Sequence, residues 1–220
     1  MPLNAQGWAM VLLLLAVSAP AEDAAIGDPA LLERVVEAQA VHTTVQGQLV
    51  WSTRRIDEPG TPPREQRVRF YLAFPDRYCV IVTRPDDEEY RQSFISDGSR
   101  RWEVTQLFKG ERPDRKSTPV GQDDELERRL LACFRLDLPT LRRDFTVVAT
   151  PAAGGGADVR LTPVDPKLAE QLTGLVLAFD ADLKLTRITS DDPQGNRMEF
   201  RVVEAIYDQA IDDALFRVAP

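Results

Sequence analysis

The side chains best suited to chemistry are few in this sequence. There is one histidine, His42, and there are two cysteines, Cys79 and Cys133. A single imidazole cannot build a multi-histidine metal site. As a general base it needs a nucleophile, and no serine or cysteine lies in a nucleophile-elbow setting such as Gly-x-Ser-x-Gly. Carboxylates are plentiful, but Asp86-Asp87-Glu88-Glu89 and Asp123-Asp124-Glu125 lack the alternating spacing of a calcium loop. They read as solvated turns and as an acidic helix start, where negative charge favours the helix dipole. Gly154-Gly155-Gly156 follows a strand-like run but opens no helix, so it is not a phosphate cradle. Nothing in this inventory demands a metal or a cofactor. It points away from catalysis and toward binding.

The elements that would carry a binding surface are mostly strands. Asp28-Pro29 predicts a helix start, with Asp as N-cap and Pro at the first helical position. Leu31, Leu32, Val35, Val36 and Ala40 then share one side at helical spacing. From Val45 the period becomes two. Val45, Leu49 and Trp51 share one face, and after the Pro/Gly-rich loop Arg54–Glu65 so do Val68, Phe70, Leu72 and Phe74. After a turn at Pro75-Asp76, Tyr78, Val80 and Val82 continue the pattern, with Cys79 and Ile81 opposite. Arg84–Glu89 reads as an acidic turn. Strands around Ser93–Ser96 and Arg101–Phe108 flank an Asp97-Gly98 turn, and Lys109–Asp124 reads as polar and irregular.

A helix is expected from about Asp124, with Leu126, Leu130, Leu131 and Phe134 on one side, then a short one over Leu138–Arg143. The remaining runs, Phe145–Ala149, Asp158–Thr162, Gly174–Asp180, Lys184–Ser190 and Asn196–Tyr207, have strand character. About ten strands joined by short turns predict one antiparallel sheet with an apolar face. The expected fold class is mainly β (α+β): a curved antiparallel sheet forming an incomplete β-barrel, covered by a few helices acting as lid or plug. Whether those helices fill the curl as ordinary core or cover a cavity is left open by the pattern alone.

Trp8–Val17 is an apolar run of about ten residues, the length of a signal h-region and too short for a bilayer span. Ala19-Pro20-Ala21 fits a signal-peptidase site, although the preceding segment has no Lys or Arg; a buried N-terminal helix is the alternative. The expectation is a signal peptide over 1–21, cleavage near Glu22, and a single exported periplasmic domain over 22–220. Net charge is −8, which disfavours nucleic acid and anionic membrane surfaces as partners. An oxidising compartment permits a Cys79–Cys133 disulfide; the alternative is two buried thiols serving as small apolar residues.

Several motifs in order resemble one family. Ser93–Val104, "SFISDGSRRWEV", resembles the L-x-SDG-x-x-x-W-x-Y stretch of LolA, the periplasmic carrier of outer-membrane lipoproteins. Val159–Pro166 resembles its L-x-L-T-P-K, Leu175–Glu204 its FD-x-D-G-x-L hairpin and following amphipathic strand, and Ala214–Pro220 its closing F-x-F-x-P-P. The resemblance implies a half-barrel whose apolar interior holds acyl chains, taken from an inner-membrane releasing complex and delivered to an outer-membrane acceptor. A monomer without a cofactor is expected.

The cargo cavity is then expected from strand residues Leu49, Trp51, Phe70, Leu72, Phe74, Tyr78, Val80 and Val82, and from Trp102 and Val104 beyond the SDG turn. Leu177, Phe179, Met198 and Phe200 complete the strands, and Leu126 and Leu130 come from the lid. Three positions depart from the family: Phe74 stands where it has a lid-latching Arg, Leu183 where it has Gly, and Val45-Gln46 where it has F-x-Q. An envelope-stress sensor of the RseB-like half-barrel type, binding a protein or lipoprotein signal, is the alternative function.

Overall fold

The computed structural model describes residues 27–58, 60–108, 110–120 and 134–218. The expected signal segment, Leu126, Leu130 and Cys133 lie outside these residues. Helix α1 spans Pro29–Ala40, and the Asp28 side chain accepts the Leu31 amide at 3.1 Å, closing the N-terminus as the sequence predicts. Its buried residues are Leu31, Leu32, Val35 and Gln39. Ala40, expected on the apolar side, is exposed; Gln39 takes its place because its amide donates to the Leu183 carbonyl at 2.6 Å.

Eleven strands follow among the described residues: β1 Thr44–Arg55, β2 Arg64–Ala73, β3 Arg77–Arg84, β4 Asp87–Asp97, β5 Arg100–Gln106, β6 Asp114–Pro119, β7 Phe145–Pro151, β8 Ala157–Pro163, β9 Gly174–Phe179, β10 Leu185–Asp191 and β11 Asn196–Tyr207. Among the described residues two short α-helices with full bounds lie between them, α2 Leu138–Asp144 and α3 Pro166–Ala169. All the strands form one sheet in the order β6-β5-β4-β3-β2-β1-β11-β10-β9-β8-β7. Every pairing is antiparallel. The chain meanders outward from β1 to β6, crosses to β7, and meanders back until β11 seals against β1. Strands β6 and β7 stand at the two edges, so the barrel is incomplete.

Two departures from the sequence reading stand out. Strand β6 occupies the segment read as irregular. It is exposed along its whole length, so no apolar alternation marks it. Strand β4 begins at Asp87, inside the expected acidic turn.

The β1–β11 seam depends on one glycine. A Cβ on Gly47 would run into the carbonyl oxygen of Glu204. There the register slips: Gln48 faces Glu204 while Leu49 faces Val202, leaving Val203 as the extra residue of a bulge. The bulge returns Ala205 and Tyr207 to the same face as Val202, with Val203 turned out and 59% exposed.

Candidate functional site

The sheet has two apolar faces. The inner face carries two clusters. One joins α1, the segment around Leu136 and Leu141, and strands β7 to β10; it includes Leu177 and Phe179. The other is built on β1, β2, β3 and β11, and buries Leu49, Trp51, Phe70, Leu72, Tyr78, Val82 and Met198. Phe134 and Phe200 touch both clusters, so the inner face is one continuous apolar surface. Phe74 and Val80 are half-buried against it.

The alternation in β1 to β3 is therefore correctly read: these expected cavity residues do share a face. Trp51 stacks on Phe200 across the seam at 5.6 Å between ring centres. Phe134 and Arg135 are helical, and Phe134 lies 5.8 Å from Phe70. Phe74 also meets Arg135, whose guanidinium carbon lies 5.7 Å from the ring centre. That contact was not foreseen.

Trp102 and Val104 do not belong to this surface. Trp102 pairs with Ile95 and Val104 with Ser93, so both face outward. They pack with Cys79, Ile95 and Phe216 on the other side of the sheet. It is Phe94, opposite Glu103, that continues the inner face. The error has a clear source. The C-terminal segment, with a 3-10 turn at Asp213–Phe216, returns over the outer face and buries Phe216 there, so both sides of β3 to β5 need apolar residues. Arg77 holds this segment, pairing with Asp213 at 2.8 Å and lying over the Phe216 ring at 5.0 Å.

Cys79 is a buried free thiol under this segment. Burial pushes its pKa up to about 11, against the opposing pull of Arg91. With Cys133 outside the described residues, the disulfide stays an expectation.

At the seam, where the clusters meet, is a cavity of about 10 Å³ lined by Gln39, Val45, Phe70, Phe134, Leu185, Val202, Ala205 and Tyr207. That is room for about one water molecule. Toward β5 the inner face ends in a polar margin. The Tyr90 hydroxyl donates to Gln92 Oε1 at 2.9 Å, and Gln92 Nε2 donates to Glu103 Oε1 at 2.8 Å. Arg84 lies over the Tyr90 ring at 3.7 Å. These bonds satisfy a glutamine that is 4% exposed.

At the SDG turn, Gly98 has φ +90°, and Asp97 Oδ1 accepts from the amides of Ser99 and Arg100 at 2.8 and 2.7 Å. His42 Nδ1 lies 2.7 Å from Asp208 Oδ2, with the Tyr207 ring tilted against it at 4.3 Å between ring centres; neither neighbour is a nucleophile for it to activate. Among the described residues no three His, Cys, Asp or Glu come together to hold a metal ion, and no helix is long and apolar enough to cross a membrane.

No protein-family model matches the chain, and no curated protein sequence matches it significantly. Solved structures similar to it include the LolA superfamily protein NE2245 from Nitrosomonas europaea, at 13% identity and TM-score 0.45, covering 88% of this chain and 99% of that one. A DUF1329 family protein from Desulfovibrio piger is similar at 11% identity and TM-score 0.44, over 86% and 95% of the two chains. The Mycobacterium tuberculosis lipoprotein LppX is similar at 16% identity and TM-score 0.40, over 84% and 98%.

Proposed function

We propose that this protein is a LolA-like carrier that takes up acyl chains on its inner face without covalent chemistry. The observation that carries this reading is the unbroken apolar surface from β7 to β4, with Phe134 laid across the seam of its two clusters. The order of the LolA-like motifs along the chain supports the same reading. The seam cavity of about 10 Å³ is too small for an acyl chain, so cargo seated there replaces side chains that now line it. Such an exchange is nearly balanced. Each methylene gains about 0.8 kcal/mol on leaving water, and the displaced ring gives up a comparable area.

The protein would be exported to the periplasm with its first 21 residues removed. It would receive acylated lipoprotein, or a related lipid, from an inner-membrane releasing complex and pass it to an outer-membrane acceptor. The experiment is native mass spectrometry of protein from an exporting host, followed by lipid extraction. An acylated species bound to a chain beginning near Glu22 is the expected result. Ligand-free protein that retains Met1 contradicts it.

A further inference from the structure

The outer face carries a groove of about 260 Å³, lined by Arg91, Ser93, Ile95, Val104, Gln106, Pro113, Arg115, Arg217 and Val218. Sheet register builds it. Ser93, Val104 and Arg115 form one cross-strand row over β4, β5 and β6, and Arg91 with Gln106 forms the next. Ile95 and Val104 give an apolar floor. The C-terminal segment, anchored through Phe216 and Arg77, supplies Arg217 and Val218 as the far wall.

Three guanidinium groups thus share one concavity in a chain of net charge −8. Among the described residues, neither Arg91 nor Arg217 forms an ion pair. Glu89, two residues along β4, forms none with Arg91 either. Arg91 and Arg217, two like charges without an ion-pair partner beside an apolar floor, cost stability when the groove is empty, and that cost is recovered when an anion enters. The chain's overall negative charge acts at long range and is screened within about 8 Å at physiological salt, so the local guanidiniums decide what the groove accepts.

We infer that this outer groove is a binding site for an anionic amphiphile: a phosphate or carboxylate head held by Arg91, Arg115 and Arg217, with its first methylenes on Ile95, Val104 and Val218. It lies across the sheet from the proposed acyl-chain surface and does not depend on it. Forked guanidiniums suit the oxygens of such a head, Ser93 and Gln106 offer further hydrogen bonds, and the floor adds affinity for a head that brings an apolar stem.

The test is titration calorimetry of the full chain with dodecyl phosphate below its micellar concentration, beside inorganic phosphate and dodecyl maltoside. The variant is the double substitution Arg91→Gln/Arg217→Gln, both at exposed positions, with its melting curve checked. Dodecyl phosphate should bind the parent protein at least about tenfold more tightly than either control, and lose at least about tenfold in the double variant. Equal binding of inorganic phosphate, equal binding of dodecyl maltoside, or undiminished affinity in the double variant overturns the inference. Dodecyl maltoside reads the inner face separately: its failure to bind anywhere counts against the carrier reading and leaves the groove standing.

Discussion

Phe134 lays its ring 5.8 Å from that of Phe70, and with Phe200 it bridges the two apolar clusters of the inner face. If cargo replaces this ring, removing it should help cargo. Phe134→Ala should lower the melting temperature, costing about 1–3 kcal/mol for a half-buried ring, and tighten binding of a fluorescent acyl probe. A ring that is only core would lower the melting temperature and leave probe affinity unchanged.

Phe74 and Arg135 form the second contact between strand and cover. A cation over an aromatic face contributes about 0.5–1 kcal/mol at a partly exposed site. A double-mutant cycle of Phe74→Leu and Arg135→Gln should show a coupling of that size in urea denaturation. Phe74→Arg should cost more than Phe74→Leu, because it sets a second guanidinium beside the first. Additive single effects would show that the contact contributes nothing.

Gly47→Ala tests the seam. The added methyl meets the Glu204 carbonyl, a backbone atom that can move only if β1 and β11 separate. A loss of about 1–3 kcal/mol is expected, with faster amide exchange in both strands. A variant as stable as the parent would mean that the bulge at Val203 absorbs the strain.

The Asp208 carboxyl is held below the usual range, chiefly by its hydrogen bond with His42 and then by the Thr43 amide. A depressed folded-state pKa stabilises the protein above the unfolded value, near pH 4, and that contribution is lost as pH falls through the folded value. The melting temperature of Asp208→Asn should therefore lie below that of the parent at pH 6, and the two should converge toward pH 2. A constant gap across that range would contradict the assignment.

Much of the architecture is legible along the chain, and the reasons are local. Asp28-Pro29 caps α1, and the alternations Val68–Phe74 and Tyr78–Val82 put their apolar residues on one face because the period of a strand is two. What escapes is set by distant chain. Strand β6 buries none of its residues, so only its pairing with β5 reveals it. Trp102 looks like cavity wall until Phe216 is seen to cover it from outside. Leu183 stands where the resembling family has glycine and adopts φ +59°, so the hairpin keeps a left-handed residue even with a side chain that packs on the core. No spacing rule predicts Gln39 in place of Ala40, because the partner is the carbonyl of that same Leu183, far along the chain.

The most direct measurement of the central claim is photo-crosslinking with a diazirine-bearing fatty acyl probe, read by peptide mass spectrometry. Labels should fall on the inner face, at or beside Phe70, Phe134, Val202 and Tyr207, and an excess of unlabelled acyl chain should remove them. Labelling confined to the outer face, or labelling that competitor does not reduce, would contradict an acyl-chain carrier built on this sheet.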